Sequence, residues 1–127
     1  MKYEIKGGSV PVVICNLENG EKMITEKGSM AWMSPNMHME TLGGGLGRMF
    51  SKALSGESMF QNHYTARGGA GMIAFTSSFP GEIKVLEIGT GREMIIQTSA
   101  FLAAEAGVNL SSHFQKRLGA DFCFIMQ

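Results

Sequence analysis

The chain has 127 residues, 44% of them hydrophobic and 17 of them glycine, which suits one turn-rich domain or two small repeats around a shared core. Its 11 basic and 11 acidic residues cancel, so no net field draws it to nucleic acid or to an anionic membrane. Cys15 and Cys123, its two cysteines, form no metal or redox spacing and do not resemble the framework of a disulfide-stapled secreted domain.

The opening residues carry charge throughout and lack the apolar segment of a signal peptide. No run approaches the roughly 18 apolar residues of a spanning helix. The expectation is a soluble, cytoplasmic protein. Residues 10–17 are rich in β-branched side chains and run into Asn19 and Gly20. Asn-Gly supplies the positive φ angles of a tight hairpin, so a strand is expected to return over 21–25. Gly28 and Ser29 mark a second turn before a strand over 30–33. Ser34, Pro35 and Asn36 make a third, and 37–40 alternates as a half-buried strand does.

The pattern of 17–39 returns 71 positions later, over 88–110. Leu17, Gly20, Met23 and Ile24 lie over Ile88, Gly91, Met94 and Ile95, and Met30, Met37 and Met39 over Phe101, Val108 and Leu110. A spacing shared over this length implies one supersecondary unit used twice, with repeat units over about 10–41 and 72–112. Residues 99–107 alone favour a helix on propensity. Their counterpart in the first unit contains Pro35, which a helix interior does not accommodate. Both segments are therefore expected to be strand, turn, strand.

The insert between the repeats differs in composition. After Gly43, Gly44 and Gly45, residues Leu46, Met49, Phe50, Ala53 and Leu54 fall on one stripe of a short amphipathic helix, within an insert of about 42–58. Its polar face carries Arg48 and Lys52, four apart, suited to acidic lipid or an acidic partner. Leu46, Arg48, Met49, Phe50, Lys52 and Leu54 are thus the candidate contact surface, against a plainer role as a lid on the β core. Residues 59–64 read as extended, 72–75 as an apolar strand, and Phe79 to Glu82 as a turn leading through 83–88 into the second unit. About ten short strands and one helix result: an all-β sandwich or double-stranded β-roll of two repeated units, with the helix inserted between them. The apolar residues 122–126 stand at the end of the sequence without an evident partner strand, a hazard for association. This points to a covering partner or to a longer parent chain, the latter being favoured.

No motif carries chemistry. Gly43 to Arg48 lacks the Gly-Lys-Ser/Thr ending of a phosphate loop, and Gly89 and Gly91 lack the third glycine and following helix of a dinucleotide fingerprint. These glycines are expected to serve turns. His38 and Glu40 share a strand face, but one such pair is not a metal site, and His63 and His113 show no ligand spacing. A solvated strand face is the plainer reading. There is no nucleophile elbow, Cys15 sits in an apolar run, and the acidic residues are scattered. The expectation is a non-enzyme with no catalytic, metal-binding or cofactor-binding residue. The eleven methionines are expected to pack mostly in the core.

Three segments together resemble a known family: Lys27-Gly28-Ser29-Met30-Ala31-Trp32-Met33, Ser55-Gly56-Glu57-Ser58-Met59-Phe60-Gln61-Asn62-His63-Tyr64, and Phe79-Pro80-Gly81-Glu82. This is the AIM-type family, named for altered inheritance of mitochondria, whose prokaryotic members are largely of unknown function. The resemblance spans essentially the whole chain. It implies an all-β fold similar to the tryptophan RNA-binding attenuation protein, built of repeated β units that tend to assemble, and it carries no catalytic residues. It also implies family members that continue past residue 127, and a shortened segment between Gly119 and Phe124. RNA binding ranks low, because phosphate contacts need clustered Lys and Arg, and here only Lys116 and Arg117 adjoin. The leading expectation is a self-associating assembly or scaffold module, with a peripheral membrane or protein contact through 46–54. A β-roll that binds a small ligand or RNA is the alternative.

Overall fold

The computed structural model describes residues 1–26, 28–42, 61–77, 79–89, 91–97, 100–108, 110–114 and 122–126. The strands are β1 (Lys2–Lys6), β2 (Val12–Leu17), β3 (Lys22–Glu26), β4 (Met30–Met33), β5 (Met37–Leu42), β6 (Gln61–Ala66), β7 (Gly71–Thr76), β8 (Met94–Gln97), β9 (Ala103–Glu105), β10 (Leu110–Phe114) and β11 (Phe122–Met126). They form three sheets, ordered β1-β2-β7-β4, β5-β6-β3-β9 and β10-β11-β8. The fold is all-β, and every ladder is antiparallel. The helix expected over 46–54 lies outside the described residues.

Alternation explains how the two four-stranded sheets share a core. On β2 the residues Val13, Cys15 and Leu17 are buried, and on β6 Asn62, Tyr64 and Ala66 are, each set pointing to one face of its strand. With Met23, Met37, Ile73 and Phe75 the apolar members of these sets form one cluster. Tyr64 and Phe75 meet edge to face across the interface, with ring centroids 6.1 Å apart, an arrangement worth about 0.5–1.5 kcal/mol beyond area burial. The middle strand β7 is buried on both faces at Ile73, Ala74 and Phe75. Of the methionines expected inside, Met23 and Met37 are buried, whereas Met33, Met39 and Met94 are exposed.

The Asn19–Gly20 turn takes neither the hairpin conformation nor the hairpin role expected of it, because Asn19 lacks the positive φ that a tight Asn-Gly hairpin needs at both residues. Gly20 has φ of +86°, and the Glu21 N–H donates to the Glu18 carbonyl at 3.0 Å. Yet β2 and β3 do not pair, since β2 lies between β1 and β7 and β3 lies between β6 and β9. The turn is a corner that passes the chain from one sheet to the other. The Gly20 N–H donates to the Ala66 carbonyl at 2.7 Å, which fixes the corner to the end of β6. The Ser34–Asn36 turn does the same between β4 and β5. Asn36 Nδ2 donates to the Ala70 carbonyl at 2.9 Å and the Met72 N–H donates to Ser34 Oγ at 2.9 Å.

Residues 100–107 contain β9 followed by a turn, and no α-helix. β9 adds to β3 through Met23↔Glu105, Ile24↔Ala104 and Thr25↔Ala103. Ser29 Oγ donates to the Leu102 carbonyl at 3.3 Å and also bonds the buried Thr25 hydroxyl. Strand β11, expected to lack a partner, has both edges filled by β10 and β8. Strand β1 was not foreseen, and 82–88 runs without ladder partners among the described residues.

Phe75 is fully buried while Phe79 is 73% exposed. Phe75→Ala is expected to lower stability by about 3–5 kcal/mol, and Phe79→Ala to stay within about 0.5 kcal/mol of the parent, in paired urea titrations.

Candidate functional site

A cavity of about 520 Å³ lies where strands of the first half meet the second half of the chain. Tyr3, Val13, Cys15 and Met23 form one wall, and the stretches 83–88 and 100–105 form the other. The strand pairings explain the first wall: Tyr3 stands opposite Cys15 on the neighbouring strand and so shares its face. Lys84, Glu87 and Glu105 supply its charges. Glu87 pairs with Arg92 at 3.8 Å, with both side chains largely exposed, so the contact adds little. The cavity is therefore an apolar space with charged residues in its lining.

Cys15 is the nucleophile type in this wall, and its environment disarms it. Burial, with a smaller contribution from the Glu105 carboxylate, pushes its thiol up to about 11. Attack requires the thiolate, so Cys15 acts as a small apolar core residue. No phosphate cradle forms at Gly89 and Gly91. The Arg92 N–H donates to the Gly89 carbonyl at 2.8 Å and Gly91 has φ of +79°. These glycines close a tight turn, as expected.

The outer face of the second sheet brings together more than the sequence spacing suggested. Glu40 of β5 lies directly opposite His63 of β6, and His38 opposite Thr65. Lys22 of β3 flanks the same strand, opposite Thr65. Burial and the Lys22 ammonium hold His63 below the usual imidazole range, against an opposing pull from Glu40. Its Nε2 is buried without a hydrogen-bond partner among the described residues. Even so, no group of three or more His, Cys, Asp or Glu side chains among the described residues is arranged to hold a metal ion. Leu46, Arg48, Met49, Phe50, Lys52 and Leu54, the surface singled out by helical periodicity, lie outside the described residues.

Sequence reasoning missed the cavity because its walls come from residues 1–23 and 83–108, which share no motif. The usable signal was the alternation of Tyr3 and Ile5 with Lys2, Glu4 and Lys6, a strand pattern masked by the charges.

A histidine held below its unfolded pKa stabilises the fold fully only above that unfolded value, and the contribution is lost as pH falls through it toward the folded value. Stability is thus expected to drop between about pH 7.5 and 5.5, around the ordinary imidazole value. His63→Gln is expected to flatten that drop in thermal unfolding across the range; an unchanged slope contradicts the assignment.

Comparison with known proteins agrees with the segments quoted above. The family model described as mitochondrial biogenesis AIM24 matches residues 3–127. An uncharacterized protein of Streptococcus pyogenes serotype M6 is 32% identical over 103 residues, which cover 75% of this chain and 41% of the relative. The crystal structure of protein SPYM3_0169 from Streptococcus pyogenes superposes with a TM-score of 0.83 at 27% identity, covering 99% of this chain and 60% of that one. The chain thus spans less than two thirds of the length of either relative. Neither is described as a tryptophan RNA-binding attenuation protein. Among the described residues no helix is long and apolar enough to cross a membrane. With a family match along nearly its whole length, the chain belongs to the AIM24 family.

Proposed function

We propose that this chain is a non-catalytic assembly module of the cytoplasm, working by association of its β-sheet edges. The observation that carries this reading is the character of those edges. Among the strands that end their sheets, β1 exposes Tyr3 and Ile5, β4 exposes Trp32 and Met33, β5 exposes Met39, and β8 exposes Met94 and Ile95. Unpaired edge strands with apolar side chains are templates for another strand. Because β11 is covered by its own chain, the open edges replace it as the surfaces for association. The repeat supports the same reading: β10-β11-β8 orders its strands as β5-β6-β3 does, the arrangement expected of one unit used twice. The segment carrying Arg48 and Lys52 adds a membrane or protein contact to this module.

The cavity favours a second reading, in which the module holds a small apolar molecule. Its volume of about 520 Å³ falls within the roughly 300–1,000 Å³ of ligand pockets. RNA fits it poorly, since the basic and acidic residues balance at 11 each and phosphate binding needs an excess of cations.

Native mass spectrometry separates the readings. The purified chain is expected to appear as an oligomer at micromolar concentration. A strictly monomeric spectrum overturns the assembly reading, and a monomer carrying a retained small-molecule mass establishes the second.

A further inference from the structure

Resting on the assembly reading, we propose that two copies of this chain join through β1, edge to edge and antiparallel, with Tyr3 on the two-fold axis. β1 contacts β2 along one edge through Tyr3↔Cys15 and Ile5↔Val13. Its other edge is unpaired among the described residues. The pairing with β2 places Tyr3 and Ile5 on the face that continues the core row of Val13 and Cys15. Lys2, Glu4 and Lys6 occupy the opposite face. The apolar row is therefore continuous with the core, yet half its surface at Tyr3 and Ile5 remains in water.

Symmetry narrows the registers to very few. A closed dimer uses the same patch on both copies, and a two-fold axis perpendicular to a sheet keeps each side chain on its own face. Residues that stand opposite must share a face, so the axis passes through a residue paired with itself. Centred on Glu4, the pairing sets Glu4 against the partner's Glu4, and Lys2 against the partner's Lys6. Like charges directly opposite are destabilising. Centred on Ile5, it sets Tyr3 against the partner's Gly7, where φ of +106° ends the strand. Centred on Tyr3, it sets Lys2 against the partner's Glu4 twice over, Tyr3 against the partner's Tyr3, and Met1 against the partner's Ile5. The Ile5 register also sets Glu4 against the partner's Lys6, so charge alone does not decide; the Tyr3 register sets Tyr3 against the partner's Tyr3 and Met1 against the partner's Ile5, where the Ile5 register leaves Tyr3 against a glycine. The Tyr3 register fuses two four-stranded sheets into one continuous sheet.

The same arithmetic selects β1 over β8. Around β8 the facing residues in any symmetric register are Met94, Ile95, Ile96 and Gln97, which carry no charges to choose a partner. Complementary charge is what makes a second copy, and not any apolar strand, the occupant of the β1 edge.

Charge reversal tests the interface, read by sedimentation velocity on untagged protein, with circular dichroism to verify folding. Because every β1 side chain is exposed, the variants keep their own fold. Lys2→Glu and Glu4→Lys each turn two attractive pairs into two repulsive ones and are expected to weaken the dimer about 10- to 100-fold. The double variant Lys2→Glu/Glu4→Lys restores the pairs at unchanged net charge and is expected to recover parental affinity. In the Ile5-centred register the same double variant sets lysine against lysine, so recovery is specific to the Tyr3 axis. Tyr3→Cys in a Cys123→Ser background is expected to give a disulfide-linked dimer on mild oxidation, with the buried Cys15 not competing. Single variants as tightly associated as the parent, or a double variant as weak as the singles, overturn this interface while leaving the assembly reading in place at another sheet edge. A monomeric parent chain removes both.

Discussion

The two strands β6 and β7 hold the described structure together. β6 lies between β5 and β3, and β7 between β2 and β4. From β2 to β5 the chain changes sheet at every turn, so no two consecutive strands among these four pair with each other. β4 and β5 gain their ladders when residues 61–76 arrive, and β2 and β3 each gain one there in addition to those with β1 and β9. β6 and β7 are joined by a short turn that Asn36 grips from the opposite side, through the Arg67, Gly69 and Ala70 carbonyls. Across the gap between the sheets Tyr64 and Phe75 meet, one ring from each of the two central strands. Most ladders therefore join strands distant in sequence, an arrangement that folds slowly because loop closure precedes any reward.

That dependence explains what was legible in the residues and what was not. β2, β4 and β7 show in the sequence because alternation or β-branched composition is a local property, and Met30–Met33 was placed without error. The Asn19–Gly20 corner misled because the turn chemistry is local while the choice of partner is not. The dipeptide reverses the chain, but the strand that follows finds β6 and β9 more complementary than β2. The described residues 100–107 show the converse. A helical composition yielded to the strand role suggested by the spacing of 17–39, because β3 presents an open edge to Ala103–Glu105. The cavity was invisible for the same reason as the partner choice: Tyr3 and Phe101 converge only after both sheets exist.

β9 and Ser29 carry the connection between the halves. The β3–β9 ladder and the Ser29 hydroxyl on the Leu102 carbonyl place residues of the second half inside the sheet of the first. Phe101 and Ala104 then seed a small second cluster, with Ile88, Ile96 and Val108 packed against it. Between this cluster and the main core lies the cavity, bounded by a stretch, 82–88, that has no ladder of its own. An apolar space at the junction of two cores is a natural place for either a ligand or a packing partner. Its charges, Lys84, Glu87 and Glu105, supply no array of converging polar groups that would select a particular polar ligand. The cavity consequently says less about specificity than the sheet edges do.

Edges carry specificity through their charges. Natural sheets protect open edges with lysine and other charged residues that penalise indiscriminate pairing, and β1 alternates Lys2, Glu4 and Lys6 along one face. Such a row repels a copy of itself in one register and attracts it in another, so in the proposed dimer the protective charges would also choose the mate. Lys6 is already engaged with Glu4 of its own strand at 3.6 Å, with both groups more than half exposed, a contact too weakly held to compete with a new cross-strand pair. The apolar face of the same strand supplies association free energy without selectivity, and the charged face supplies selectivity at small cost. Separating the two on opposite sides of one strand would let five residues do both in the proposed dimer.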